Sequence, residues 1–273
     1  MTIGSTLKLN NNTEIPRLGL GVYLSKPGKE TFNAVTWALE AGYRHIDTAR
    51  AYKNEGDVGK AVKESGMKRE DVFITTKLWN QDQGYESALR AFDASMDELG
   101  LDYVDLYIIH WPVEEKRKES WKALEKIYLE GRARAIGVSN YTIKHLKEMD
   151  HYTGIKPAIN QVEFHPFLFQ EDLLEYCKIK SVQLEAYSPL TKAEKLDDPN
   201  IVRIADKYSK SAAQILIRWS LQHDLVVIPK SVHKARIIEN ANVFDFEISD
   251  DDMQNLNSQN EELRLAWDPT NVE

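Results

Sequence analysis

The sequence has little cysteine and no long apolar run, and these two absences exclude several classes of protein. Cys177 is the single cysteine among 273 residues, which rules out an internal disulfide and fits a reducing, cytoplasmic location. Its helical spacing from Leu173 and Leu174 favours core packing over a nucleophilic role. No run approaches the roughly 20 apolar residues of a membrane span. The first residues lack a basic and apolar signal segment, so we expect no membrane partner.

Positive charge is also scarce, because 35 lysines and arginines stand against 43 aspartates and glutamates. The net charge of −8 gives a nucleic-acid partner little support. His-x-His and His-Glu-x-x-His patterns are absent from the sequence, so we expect no metal site. The segment Gly19–Leu24 lacks the third glycine of the dinucleotide-binding fingerprint, so a Rossmann site is not expected either.

What the chain does contain is a regular alternation of short apolar strands and amphipathic helices, after a small hairpin at Thr6–Leu9 and Glu14–Ile15. The strands are near-continuous apolar runs, as expected where both faces of a parallel sheet are buried. Eight are predicted, at Leu18–Val22, Tyr43–Ile46, Val72–Lys77, Val104–Ile109, Ala133–Val138, Ala158–Val162, Val182–Ala186 and Leu225–Ile228.

Eight strand–helix units predict an α/β protein with a closed (β/α)8 barrel, the TIM-barrel fold. The length of 273 residues suits this fold, which typically takes about 250. Two further helices, Pro199–Tyr208 and Asp250–Leu256, are predicted as additions to the barrel. No linker or break in composition divides the chain, so we expect residues 1–273 to form a single domain.

Polar and aromatic side chains follow the apolar strands at their C-terminal ends, where the active sites of this fold lie. Asp47 and, through its loop, Tyr52 follow the second strand, Lys77 ends the third, and His110 follows the fourth. Each residue alone has an ordinary explanation: a helix cap, a half-buried aromatic, a rim lysine and a core histidine. Their convergence at one barrel mouth favours a catalytic site.

These four groups suit acid–base chemistry on an oxygen. A tyrosine with a pKa near 10 is a reluctant acid, and a nearby ammonium such as Lys77 lowers that pKa. Asp47 would keep Lys77 protonated and oriented, while His110 would hydrogen-bond the substrate oxygen or relay a proton. The set fits proton donation to an oxygen that gains negative charge, as when hydride is added to a carbonyl.

Ordered motifs stand at the strand ends over nearly the whole chain. They are Gly42–Ala49, Tyr52 with Asn54 and Glu55, Thr76–Trp79, Ile109–Pro112, Gly137–Asn140, Asn160–Glu163, Ala186–Leu190, Ile228–Ser231, Arg236, Glu239 and Asn240. Together they closely resemble the motifs of the aldo-keto reductase family. The resemblance implies a catalytic tetrad of Asp47, Tyr52, Lys77 and His110, with Tyr52 as proton donor. It also implies that the protein uses NADP(H) to reduce small-molecule carbonyl substrates. We expect a monomer, although the sequence says little about oligomeric state.

The resemblance further implies which side chains touch the cofactor. Tyr187 would stack on the nicotinamide ring, and Lys230 with Arg236 would bind the 2′-phosphate. The implied cofactor-binding residues are Val22, Tyr23, Asp47, Ser139, Asn140, Gln161, Tyr187, Ser188, Pro189, Leu190, Ile228, Lys230, Ser231, Val232, His233, Arg236, Glu239 and Asn240. The implied substrate-binding residues are Tyr23, Trp79, His110 and Trp111.

Two other functions are compatible with the same barrel. A glycosidase would use two carboxylates, and Asp47, Glu163 and Glu185 are the acids near strand ends, but this leaves Lys77 without a task. A non-catalytic relative could keep the fold for binding alone, because fold does not imply function. Only eight residues separate Pro112 from Trp121, where many animal members of the family carry a long loop. The chain thus resembles the compact, mostly microbial branch, and its substrate stays open.

Overall fold

The computed structural model describes residues 1–272, and eight parallel strands at its centre pair in chain order. A two-stranded antiparallel hairpin precedes them. The strands are β1 Thr6–Lys8, β2 Glu14–Pro16, β3 Leu20–Gly21, β4 His45–Asp47, β5 Phe73–Leu78, β6 Val104–Ile109, β7 Ala133–Ser139, β8 Ile159–Glu163, β9 Gln183–Tyr187 and β10 Val226–Val227. All eight predicted strands and the predicted hairpin are present, with ends that differ by a few residues.

A helix follows each parallel strand and packs on the outside of the sheet. The helices are α1 Lys29–Glu40, α2 Glu55–Glu64, α3 Tyr85–Leu99, α4 Arg117–Leu129, α5 Ile143–Met149, α6 Glu171–Lys180, α7 Pro199–Tyr208, α8 Ala212–Gln222, α9 Lys234–Ala241 and α10 Asp250–Asn257. The two added helices that the sequence predicts are α7 and α10. Within residues 1–272, no helix has both the length and the apolar character to cross a membrane.

The first and last parallel strands meet and close the barrel. The Gly19 amide donates to the Val227 carbonyl at 2.9 Å, and the Gly21 amide donates to the Pro229 carbonyl at 3.1 Å. A Cβ at Gly19 would lie 2.6 Å from Nδ1 of His45, and a Cβ at Gly21 would lie 3.0 Å from the Ile228 carbonyl oxygen. These glycines therefore allow the neighbouring strands to approach closely. This packing role explains why glycine stands at both positions, and a dinucleotide-binding motif is not needed to explain them.

The hairpin covers the N-terminal end of the barrel. Asn10 donates from Nδ2 to the Pro157 carbonyl, and Asn11 donates from Nδ2 to the Arg134 carbonyl, each at 2.9 Å. Ile15 is fully buried in a cluster with strand residues such as Leu106. With this end closed, the C-terminal ends of the strands form the accessible mouth.

Most of the apolar core lies between the strands and the surrounding helices. Trp121 and Cys177 belong to this layer and are buried, which confirms the packing role that the spacing of Cys177 predicts. Burial of one large apolar side chain stabilises a fold by about 1.5–3 kcal/mol, so this layer holds the strand ends in register.

Candidate active site

Lys77 is the centre of the polar cluster at the barrel mouth. Its side chain is completely buried, and Nζ donates to Oδ1 of Asp47 at 2.6 Å, to the Thr48 carbonyl at 2.8 Å and to the hydroxyl oxygen of Tyr52 at 3.3 Å. An ammonium has three hydrogens and no acceptor, so these bonds use all of them. The Tyr52 oxygen accepts in this arrangement, and its own hydrogen is available for another acceptor.

Tyr52 is positioned by a short turn, Arg50–Tyr52, directly after β4. Its ring is partly exposed and lies 5.0 Å from the Tyr23 ring. Burial around the hydroxyl, followed by the nearby Asp47 carboxylate, raises the pKa of Tyr52 well above its ordinary value. Lys77 therefore does not bring the pKa of Tyr52 below its ordinary value in this structure, and its lowering effect on the phenol stays a prediction. Tyr52 is held in its protonated, donating form.

His110 follows β6 and is nearly buried beside Tyr52. The His110 and Tyr52 ring centres are 5.6 Å apart in an edge-on contact, and the Trp79 ring packs on His110 at 5.2 Å. Burial, and then the charge of Lys77, lower the pKa of His110 well below its ordinary value. At neutral pH this histidine is uncharged, so it can donate a hydrogen bond to a substrate oxygen but holds no second proton to relay.

Gln161 connects the polar cluster around Lys77 to a second buried acid. Its amide nitrogen donates to Oδ2 of Asp47 and to Oε2 of Glu185, each at 2.8 Å. Strand register explains the contact, because Gln161 pairs with Ser139 on β7 and with Glu185 on β9. Both amide hydrogens are used, so Oε1 is the part of Gln161 able to accept a bond from a ligand.

Asn140 connects the C-terminal ends of β6, β7 and β9 through its side chain. It has a positive φ of 64°, which asparagine tolerates better than most residues, and so turns sharply after β7. Its Nδ2 donates to the His110 carbonyl and to the Ser139 hydroxyl at 3.0 Å, while Oδ1 accepts from the Tyr187 hydroxyl at 2.8 Å. This bond fixes the Tyr187 ring, which is partly exposed at the end of β9.

The predicted phosphate-binding residues lie after β10 and at the start of α9. Lys230, His233 and Arg236 are exposed, and within residues 1–272 neither Lys230 nor Arg236 forms an ion pair. On α9, Ile237 is buried, whereas the neighbouring Ile238 is 43% exposed. α9 is one short helix on the barrel surface and buries a single stripe.

The remaining predicted cofactor residues also border the mouth. Ser188 has a positive φ of 49° immediately after β9, which turns the chain away from the barrel. Buried residues of this group are Val22, Pro189, Ile228, Ser231 and Asn240, and partly buried ones are Leu190, Val232 and Glu239. They lie on the strand ends and α9, and their contacts with a cofactor stay a prediction.

The C-terminal segment crosses the mouth and adds residues that the sequence did not identify. Oε1 and Oε2 of Glu163 accept the backbone amides of Leu265 and Ala266 at 2.9 and 3.0 Å. This pair of bonds, which we name the tail latch, brings the exposed Trp267 ring to 5.5 Å from Trp111. No local signal in the sequence identifies a segment about 100 residues away from the strand end that holds it.

The placement of the three acids disfavours a glycosidase. Glu163 is engaged in the tail latch, and Glu185 is completely buried inside the barrel beside Gln161. Asp47 is paired with Lys77. None of the three faces another across an open cleft, as the two carboxyls of a glycosidase must.

Known proteins match this chain along most of its length. The model of the Aldo/keto reductase family matches residues 17–261. A glyoxal reductase of Bacillus subtilis is 51% identical, with 98% of this chain and 97% of that protein covered. An aldo-keto reductase from a Medee basin deep-sea metagenome has a TM-score of 0.95 at 45% identity, with 98% and 100% covered. A Bombyx mori aldo-keto reductase in complex with NADP has a TM-score of 0.90 at 35% identity, with 97% and 95% covered. The chain belongs to the aldo-keto reductase family.

Proposed function

We propose that this protein reduces aldehydes and ketones to alcohols with NADPH, and that Tyr52 is the general acid. The observation that carries the proposal is the triple hydrogen bond of the buried Lys77 ammonium to Asp47, Thr48 and Tyr52. It directs the Tyr52 oxygen toward Lys77 and leaves the hydroxyl hydrogen for a carbonyl oxygen at the mouth. Membership of a reductase family and the name of the glyoxal reductase relative support the same reaction.

Each residue at the barrel mouth has a separate role in the proposed carbonyl reduction. NADPH, when bound, supplies the hydride. Tyr52 donates its proton to the carbonyl oxygen as negative charge develops there, and Lys77 stabilises the phenolate left behind. Neutral His110 donates a second hydrogen bond to that oxygen. Asp47 holds Lys77 in place and balances its charge in the buried site.

The donors and acceptors present fit the chemistry of NADP(H). Both hydrogens of the Gln161 amide nitrogen are bonded to Asp47 and Glu185, so a ligand can bond only to Oε1 of this side chain. Oε1 can accept a hydrogen bond from the N–H of a carboxamide. The partly exposed Tyr187 ring offers a flat surface for a planar ring. Lys230 and Arg236 are exposed cations that supply charge and a planar guanidinium for a phosphate. The NADP complex of the Bombyx mori relative supports the same cofactor here.

The substrate pocket is built from aromatic rings. The Tyr23 ring packs on Tyr52 and the Trp79 ring packs on His110, while Trp111 contacts Trp267. Tyr23 and Trp267 are 52% and 67% exposed. Apolar walls distinguish substrates by only about 1–3 kcal/mol per methylene, so we expect broad tolerance of aldehydes and ketones, glyoxal included.

Tyr52→Phe tests the proposed acid. We expect turnover with an aldehyde panel to fall about 10²–10⁴-fold, the contribution of a general acid, while NADPH affinity stays near that of the wild type. The measurement is loss of NADPH absorbance, with cofactor binding followed separately by quenching of tryptophan fluorescence. Tyr176→Phe on α6, away from the mouth, is the matched control.

Near-normal turnover in Tyr52→Phe would remove the tyrosine from the mechanism. A wild-type protein that binds NADPH but reduces no member of the panel would instead favour the non-catalytic relative.

A further inference from the structure

Glu185 is a buried acid that the proposed reaction does not use. It lies on β9 with no exposed surface, and Oε2 accepts a hydrogen bond from Gln161. Its other oxygen is 3.7 Å from Nε2 of His45 and has no hydrogen-bond partner within residues 1–272. A fully ionised carboxylate would not be left with one oxygen unsolvated and unpaired in a barrel interior without a large cost.

The charges that surround Glu185 come from three neighbouring strands. Asp47 and His45 face it from β4, and Lys77 faces it from β5, while Tyr52 approaches from the turn beyond β4. Burial lowers the pKa of His45 to about 3, and Tyr52 is protonated, so neither group carries charge at neutral pH. Lys77 alone therefore offsets two carboxyl groups, and Asp47 already forms the short contact with it.

We propose that Glu185 is a positioning residue that holds the Gln161 amide against Asp47 as a neutral carboxylic acid and releases its proton as the solution becomes alkaline. In the neutral form, the carbonyl oxygen of Glu185 accepts from Gln161, so the amide nitrogen faces the two acids and Oε1 faces the mouth. Burial, and then the Asp47 charge, raise the pKa of Glu185 to about 8, which agrees with this geometry. The inference rests on the proposed function for its effect on catalysis.

Loss of the Glu185 proton has a definite effect on the mouth. The new negative charge lies close enough to act on Asp47 and Tyr52, and it raises the pKa of the Tyr52 phenol further. A weaker acid donates its proton less readily to the forming alkoxide. Carbonyl reduction should therefore decline as the pH rises through about 8. Ionisation of Glu185 would set this decline, the alkaline limb of the pH–rate profile.

Glu185→Gln and Glu185→Leu separate the two parts of the proposal. Glutamine keeps an acceptor for Gln161 but cannot ionise, whereas leucine removes the acceptor. We expect Glu185→Gln to reduce aldehydes at nearly the wild-type kcat at pH 7 and to lose the alkaline limb near pH 8. We expect Glu185→Leu to lose about 2- to 10-fold in kcat/KM relative to Glu185→Gln, the equivalent of one neutral hydrogen bond.

Two measurements without cofactor or substrate test the proton on Glu185 independently of the reaction. Infrared difference spectra of wild type minus Glu185→Gln should show a protonated carboxyl band that disappears as the pH rises through about 8. A raised pKa in the folded state means that stability from the bound proton is lost as pH rises. The urea-unfolding free energy of the wild type relative to Glu185→Gln should therefore fall between pH 4.5 and about 8 and then level off.

Glu55→Gln is the matched control, because Glu55 is also buried and its pKa is also raised by burial, but its carboxyl accepts from Thr76 and Ser95 instead. It should keep the alkaline limb. A limb that is unmoved in Glu185→Gln, or no carboxyl band that titrates, overturns the proposal. If the infrared and unfolding results appear in a protein without reductase activity, Glu185 keeps its proton as inferred and the proposed function fails instead.

Discussion

Lys77→Met tests how the proposed catalytic centre is held together in the absence of any ligand. Methionine keeps most of the side-chain stem but removes the ammonium, and with it the three hydrogen bonds to Asp47, Thr48 and Tyr52. The Asp47 side chain is then left as a buried carboxylate without a counter-ion. Removing one partner of a buried ion pair costs about 3–5 kcal/mol, and we expect the unfolding free energy to fall by this amount at pH 7.

The sign of the pH dependence follows from the Asp47 carboxyl. Burial raises its pKa and Lys77 lowers it, so removal of Lys77 leaves the pKa raised further. A carboxyl with a raised folded-state pKa retains stability below its ordinary value of about 3.9 and loses it as the pH rises through the folded-state value. The deficit of Lys77→Met should thus be small near pH 4 and largest at neutral and alkaline pH.

Urea unfolding of three variants measures this cost. The three variants are Lys77→Met, Asp47→Asn and the double variant. The double variant should recover most of the stability that Lys77→Met loses, and this stability should no longer depend on the ionisation of residue 47. Both single variants should have little or no reductase activity. The control is the exposed pair of Lys122 and Glu119, in which Lys122→Met should cost only about 0.2–1 kcal/mol. A similarly small cost for Lys77→Met, or no recovery in the double variant, would refute the buried ion pair as the organising contact.

Two further predictions concern the cofactor and the packing of the helices. Arg236→Ala should weaken NADPH binding by about 1.5–3 kcal/mol, the scale of a charged hydrogen bond, and leave NADH binding little changed. Equal losses for both cofactors in a titration would show that Arg236 does not contact the 2′-phosphate. Gly59→Ala should lower the unfolding free energy measured in urea by about 1–3 kcal/mol, because a Cβ there would lie 1.8 Å from the Leu99 carbonyl oxygen. Gly4→Ala should cost little, because a Cβ there would make only an ordinary contact, 3.9 Å from Oγ1 of Thr2.

The barrel and the centre of its site could be predicted because each depends on local patterns. A strand that is buried on both faces is read from a short apolar run, and parallel strands that are followed by helices must place their C-terminal ends together. Asp47, Lys77 and His110 stand at such ends, so their neighbourhood follows from position alone. Lys77 does contact both Asp47 and Tyr52, as expected.

Features that depend on depth and on distant segments could not be predicted. The pKa of Tyr52 is set by how much water reaches its hydroxyl, which a sequence does not contain. Glu185 looks like an acid available at a strand end, but the register with Gln161 turns it into the barrel interior. Ile238 follows a buried residue, and its exposure depends on how α9 lies on the barrel.

The tail latch separates attachment of the C-terminal segment from the identity of its side chains. Glu163 accepts peptide N–H groups from Leu265 and Ala266, and every residue except proline offers such a group. Substitution of Leu265 or Ala266 by any residue other than proline, or substitution of Trp267 beside them, leaves both N–H donors in place. If Trp267 forms one wall of the substrate pocket, as proposed, that wall is attached to the barrel through backbone groups and its side chains can vary. Variants of residues 265–267 should then change substrate preference without altering the barrel or the proposed catalytic residues.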